Sequence, residues 1–219
     1  MNRTKIEWAD YTWNPVVGCK TSCAWCYAKR LNDRFKFIPV WEEPQFYPER
    51  LTEPLDRKGA KIFVVSMGDL FGSWVPSAWI QQVIDVCQFT PQHEYMFLTK
   101  YPERYQEFDF PGNCWLGTTV ENPDREGIER LMALAVFQPG PTLPPVKKFL
   151  SIEPLLGSFK DVTLGEGFDL VIVGAMTGPG AVKPEKEWIE SIKHHNIFYK
   201  NNIKPFLNEN SNRHCKKNC

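Results

Sequence analysis

The chain has 219 residues, 42% of them apolar, which is enough to bury the core of one domain of ordinary size. Its 26 basic residues are balanced by 26 acidic ones, so net charge argues for neither a polyanion partner nor an anionic membrane surface and decides nothing about nucleic acid. No apolar run approaches the roughly 20 residues needed to span a bilayer, and the opening MNRTKIEWAD lacks an apolar leader segment; a cytoplasmic protein without a membrane partner is expected.

Short runs rich in β-branched and aromatic residues recur, each followed by a turn and usually by a helical pattern. In chain order, strands are expected over 12–17 (TWNPVV), 61–66 (KIFVVS), 94–99 (EYMFLT), 114–119 (CWLGTT), 147–152 (KKFLSI) and 169–174 (DLVIVG). Helices are expected over 24–35, 76–89, 102–108, 122–137 and 183–195, with Pro76 and Pro102 where a first helical turn tolerates proline. The strands are as apolar as those of a parallel sheet covered on both faces. Six such units predict an α/β fold, a partial (β/α)6 TIM-like barrel of parallel strands, with a doubly wound open sheet as the competing arrangement. A single domain over 1–207 is followed by a polar, cysteine-containing tail over 208–219. In either arrangement, ligand chemistry gathers at the carboxyl ends of the strands.

The cysteines carry the sharpest signal. Seven is an odd number, and clustered thiols in a reducing compartment point to metal or redox chemistry rather than to structural disulfides. Cys87 and Cys114 stand alone in apolar surroundings and read as small buried hydrophobes. Cys19, Cys23 and Cys26 form C-x3-C-x2-C in the stretch GCKTSCAWCY, between the first strand and the first helix. A cysteine-held iron-sulfur cube normally takes four thiolates, one per iron, so three leave one position open. An open position marks a reactive metal centre rather than a closed structural one. The competing reading is a zinc site completed by His214, Cys215 or Cys219, as in a regulatory or nucleic-acid-binding module. Cys215 and Cys219 are too few for a cluster of their own.

The spacing, with Trp25 directly before the last cysteine, resembles the signature of the radical S-adenosylmethionine (radical SAM) superfamily. The resemblance implies that Cys19, Cys23 and Cys26 ligate a 4Fe-4S cluster, that S-adenosylmethionine chelates the remaining iron, and that Trp25 lies near the adenine. It further implies an external one-electron reductant of the flavodoxin or ferredoxin type, and a 5′-deoxyadenosyl radical that abstracts hydrogen from a substrate. The order of KIEWADYTWNPVVGC, SMGDLFG, FLTKYPER, LGTTVEN, FLSIEPLLG and IVGAMTGPGA is similar to a bacterial and phage-associated three-cysteine-motif radical SAM-like family, over roughly residues 4–182. Ala175 and Met176 depart from that family's glycine and glutamate. The association favours a nucleobase, nucleoside or nucleic-acid substrate.

On this resemblance the other strand ends should receive a charged amino acid and a ribose. Ser66, Gly68 and Asp69 would hold the methionine amino group, with Gly68 allowing close backbone approach. Thr118, Thr119 and Glu121 would face ribose or carboxylate, Asn122 serving also as a helix cap. Ser151 and the glycine-rich loop from Gly174 would line the cofactor, and Lys100 and Glu153 are the catalytic candidates. Each has a structural alternative: Asp69 as a turn former, Lys100 as a solvated surface cation, the glycines as a plain turn. Aromatics in FGSWVP and RFKFIPVWEEPQFYP, beside Arg34 and Lys36, suit either base stacking or packing. A barrel that keeps a cluster without catalysis is the remaining alternative.

Overall fold

The computed structural model describes residues 1–207. In chain order the strands are β1 (Asn2–Arg3), β2 (Tyr11–Trp13), β3 (Val16–Val17), β4 (Gln45–Phe46), β5 (Lys61–Val64), β6 (Glu94–Thr99), β7 (Cys114–Thr119), β8 (Lys147–Ile152), β9 (Leu170–Val173) and β10 (Ile197–Tyr199). The helices are α1 (Tyr27–Phe35), α2 (Ser77–Phe89), α3 (Arg125–Val136), α4 (Lys186–Ser191) and α5 (Lys204–Leu207), with 3-10 turns at Pro48–Thr52 and Pro102–Glu107. The result is a mixed α/β domain around one mostly parallel sheet in the order β1-β2-β5-β6-β7-β8-β9-β10, in which only β1 is antiparallel to its neighbour. No helix among the described residues is long and apolar enough to cross a membrane.

Side chains alternate between two packed layers, as the pleat requires. Ile62, Val64, Tyr95, Phe97, Leu116, Leu150, Ile152, Val171 and Val173 face the main core. There they meet Ile80, Val83, Ile84 and Cys87 of α2 and Leu131 and Leu134 of α3, residues spaced so that one stripe of each helix is apolar. Phe63, Met96, Phe149 and Ile172 form a second cluster closed by Trp8, whose ring lies 4.7 Å from that of Phe63 and 6.0 Å from that of Phe149. Gly117 makes room for it: a Cβ there would stand 2.3 Å from Phe149 Cζ. The loop after β10 is tied to the amino-terminal segment by Asn201 N–H, which donates to both carboxylate oxygens of Glu7 at 3.1 and 3.0 Å.

Several sequence expectations are corrected. The strand expected over 12–17 breaks at Asn14-Pro15, because proline offers no N–H to a ladder; Val16–Val17 leave the main sheet and pair antiparallel with Gln45–Phe46. The first helix begins at Tyr27 rather than at 24, since Cys26 is its N-cap and its Sγ accepts from Lys29 N–H. The segment expected as a helix over 102–108 is a 3-10 turn. The third long helix is capped by Asp124, whose Oδ1 accepts from Gly127 N–H at 2.8 Å, and not by Asn122. The helix expected over 183–195 is confined to Lys186–Ser191, and the chain beyond it supplies a seventh parallel strand, β10. Cys87 and Cys114 are fully buried, as expected.

Candidate functional site

The cysteine loop is positioned by two glycines. Gly18 has φ +109°, a region that L side chains rarely adopt, and a Cβ there would stand 2.9 Å from Ile38 Cδ1, Pro44 Cα and the Trp41 carbonyl oxygen. Gly18 forms a β-bridge with Gly68, its N–H donating to the Met67 carbonyl at 2.9 Å; a Cβ on Gly68 would stand 2.6 Å from the Gly18 oxygen. Bare backbone on both sides is therefore what lets the cysteine loop lie against the end of β5. Gly18→Ala should destabilise the domain by about 3 kcal/mol, as expected for a forced left-handed φ with steric clash, read as a lower urea midpoint at unchanged slope.

Around this bridge the loop is braced on every side. Cys19 N–H donates to the Trp41 carbonyl at 3.0 Å, and Cys19 Sγ accepts from Thr21 N–H at 3.4 Å. Val17, Cys19, Ala28, Ile38 and Trp41 pack as a small cluster behind the loop. Lys36 ends α1 in the left-handed conformation at φ 54°, and Asn32 holds the returning chain through Ile38 N–H at 3.0 Å and the Ile38 carbonyl at 3.2 Å. Of the aromatics in the segment that suits either base stacking or packing, Trp41 and Tyr47 join this cluster and Phe46 stacks on Trp79; Phe35 and Phe37 remain exposed, ring centroids 5.8 Å apart, with the Arg34 guanidinium 4.9 Å from the Phe35 centroid.

Cys19, Cys23 and Cys26 line one cavity of about 190 Å³ together with Trp25, Ser66, Gly68, Asp69, Lys100, Thr119, Glu121 and Glu153. All three thiols are free. Burial, aided by the Asp69 charge, pushes the Cys19 thiol up to about 11. Burial also raises Cys23, against the opposing influence of Lys100. Burial thus favours the protonated thiol at Cys19 and Cys23, and a cation that gathers them must displace those protons. No group of three or more His, Cys, Asp and Glu side chains among the described residues is gathered as a single-ion site.

The strand-end residues divide into those that face the cavity and those that brace it. Asp69 does both: Oδ1 accepts from Thr99 Oγ1 at 2.6 Å and Phe71 N–H at 3.1 Å, and Oδ2 from Lys100 N–H at 3.0 Å. Burial raises its pKa although these bonds oppose the shift. Ser66 Oγ and Met67 N–H converge on Asn14 Oδ1, and the Tyr27 hydroxyl donates to the Ser66 carbonyl at 2.6 Å. Burial of that hydroxyl pushes its pKa upward even though the residue as a whole is 45% exposed. Lys100 is paired, not solvated: its Nζ contacts the buried carboxylate of Glu121, which also accepts from Arg130 Nη2 at 3.1 Å, and it lies 5.9 Å from the Trp25 ring centroid.

A second cavity of about 340 Å³ adjoins the first, with Trp25, Tyr27, Phe63, Leu98 and Glu153 forming walls of both. Ser151 lines this second chamber. Glu153 is held by Lys200 Nζ at 2.5 Å, and Gly174 gives it space, since a Cβ on Gly174 would stand 2.8 Å from Glu153 Cδ. Gly174 lines neither cavity among the described residues; nor does Thr118, which is fully buried on the helix side of the sheet and donates to the Thr99 carbonyl at 2.8 Å. Lys200, Arg130 and Arg30 were not anticipated. Lys200 follows a strand that periodicity did not disclose, and Arg130 reads as one more surface charge of a helix until its partner is known. His214, Cys215 and Cys219 lie outside the described residues.

Residues 3–209 match the model of a family described as a protein of unknown function, DUF5131. The chain belongs to the DUF5131 family. Neither a curated protein nor a solved structure matches it. The DUF5131 match runs from Arg3 in β1 through β10 and takes in both cavities, so the cysteine loop and its braces belong to the family domain rather than to an appendage.

Proposed function

We propose that this domain is an open (β/α) barrel of the radical SAM type, which binds a 4Fe-4S cluster through Cys19, Cys23 and Cys26 and cleaves S-adenosylmethionine reductively. The observation that carries this reading is the placement of the C-x3-C-x2-C triplet and Trp25 in one cavity at the carboxyl ends of sequentially ordered parallel strands. The helices α2, α3 and α4 all pack into the main core on one face of the sheet, and the other face carries its own apolar cluster under Trp8, as a partial barrel needs.

The donor set fits the group. A cube takes one thiolate per iron, so its ligands sit on different metals and need not converge on one point; three thiols leave one iron for a bidentate ligand. When bound, the cluster supplies one electron to the sulfonium of S-adenosylmethionine, giving methionine and a 5′-deoxyadenosyl radical that takes hydrogen from a substrate. The protein's own part is to position and to exclude water. Gly18 and Gly68 fix the loop, Trp41, Phe63 and Leu98 wall off solvent, and Trp25 offers a ring face to a flat ligand. Lys100 brings a cationic donor to the cavity wall, held in place by Glu121, and is suited to a carboxylate. An external reductant of the flavodoxin or ferredoxin type supplies the electron, and a reducing cytoplasm keeps the thiols free.

Anaerobically reconstituted protein reduced with dithionite should turn S-adenosylmethionine into methionine and 5′-deoxyadenosine without added substrate, measured by chromatography. A colourless, zinc-holding protein that makes none would instead support the zinc module. A brown protein that makes none would support a cluster kept for structure or electron transfer.

A further inference from the structure

The second chamber shares Trp25, Tyr27, Phe63, Leu98 and Glu153 with the cysteine cavity and extends beyond it to Trp8, Arg30 and Lys200. Trp8 lines it and is only 9% exposed. Trp8, Trp25, Tyr27 and Phe63 give the chamber aromatic walls, which favour a flat ring. The Glu153–Lys200 pair sets an acceptor and a donor side by side on one wall, matched to the edge of a heterocycle carrying both. At the rim stands Arg30, whose guanidinium has no partner among the described residues. It lies against Gly178, close enough that a Cβ there would stand 3.6 Å from Nη2, and Gly178 and Gly180 have φ +98° and +72°. Gly178 lets the backbone pass close to the guanidinium, and Arg30 and Thr177 both line the chamber.

We propose that this chamber binds a nucleoside 5′-monophosphate, its base between the aromatic walls and its phosphate on Arg30. A volume of about 340 Å³ is at the lower end of small-molecule sites, roughly 300–1,000 Å³, and holds one nucleotide rather than a strand. That the nucleotide is the substrate of the reaction rests on the function proposed above; that it binds does not.

Isothermal titration of the full, cluster-free chain tests the binding, with the four common ribonucleoside 5′-monophosphates, their nucleosides and sodium phosphate as probes. At least one monophosphate should bind about ten-fold or more tightly than its nucleoside, the advantage expected of a charge-assisted contact. Arg30→Ala, on an exposed helix position, should erase that difference and leave nucleoside affinity unchanged; Trp8→Phe should weaken nucleotide and nucleoside alike. The proposal is overturned if no monophosphate binds, if nucleoside and nucleotide bind equally, or if inorganic phosphate binds as tightly as the nucleotide. It is also overturned if S-adenosylmethionine displaces the nucleotide from reconstituted protein, which would make the chamber the adenosine end of the cofactor site. Loss of 5′-deoxyadenosine formation with nucleotide binding intact would remove the proposed reaction and leave this site standing.

Discussion

Reconstituted anaerobically with iron and sulfide, the variants Cys19→Ala, Cys23→Ala and Cys26→Ala should each fail to hold a 4Fe-4S cluster, and 5′-deoxyadenosine formation should be abolished in all three. Iron content, the broad visible absorbance of the cube and product chromatography measure the outcome. The three positions separate loss of ligation from loss of folding. Cys23 and Cys26 are only partly buried, so their truncation removes little packing, and the urea midpoint should stay near that of the unaltered protein. Cys19 is buried against Val17, Ile38 and Trp41, so its variant should also lose about 1–2 kcal/mol through the missing contacts. Iron that persists at full stoichiometry in a protein carrying both Cys23→Ala and Cys26→Ala would sink the assignment. Chelation of a single zinc by these thiols would instead leave a colourless protein whose metal survives loss of iron.

The second large effect is expected at Glu121. Its carboxylate is buried and receives both Lys100 and Arg130, while its backbone carbonyl accepts from Leu156 N–H at 2.8 Å. Side-chain exposures of 6%, 16% and 17% for Glu121, Lys100 and Arg130 leave little solvent to screen a change of charge. Glu121→Gln keeps the shape and leaves two cations facing one another, and should destabilise the domain by about 3–5 kcal/mol, the range for breaking a buried ion pair. Lys100→Met should cost less, because Arg130 still neutralises the carboxylate. The double variant Glu121→Gln, Lys100→Met should recover part of the loss, so that the two changes are less than additive in urea denaturation. Equal destabilisation by Glu121→Gln and Lys100→Met would show that Arg130 does not share the load.

How much of this was legible in the sequence depends on which forces were local. The strands Glu94–Thr99, Cys114–Thr119 and Lys147–Ile152 were expected at their observed bounds, because their apolar runs are continuous and cleanly bounded by turn residues. β10 was missed: it has three half-buried residues, and the helical pattern of 183–195 ran up to it. The Val16–Val17 to Gln45–Phe46 pairing joins residues far apart in the chain, beyond the reach of any window of periodicity. At the site, the cysteine cavity and most of its expected neighbours came from reading strand ends in order. Thr118 marks a signal that was available and unused. Successive residues on a strand face opposite ways, so Thr118 and Thr119 had to divide between core and cavity. The salt-bridge partners of Lys100 and Glu153 had no such signal, since Glu121 and Lys200 meet them only through the folded sheet.

The tie between Glu7 and Asn201 sets an order of events during synthesis. The contact spans 194 positions, and the layer beneath Trp8 also draws on Phe198 of the final strand. A ribosome delivering the chain from its amino end exposes Ile6 and Trp8 early and must release nearly all of the domain before their partners exist. The helix-covered side of the sheet, built from neighbouring strands and the helices between them, can assemble as it emerges, whereas the Trp8 layer closes last. The two sides of one sheet therefore mature at different times, and the chamber that Trp8 floors becomes able to receive a ligand only once β10 has been released.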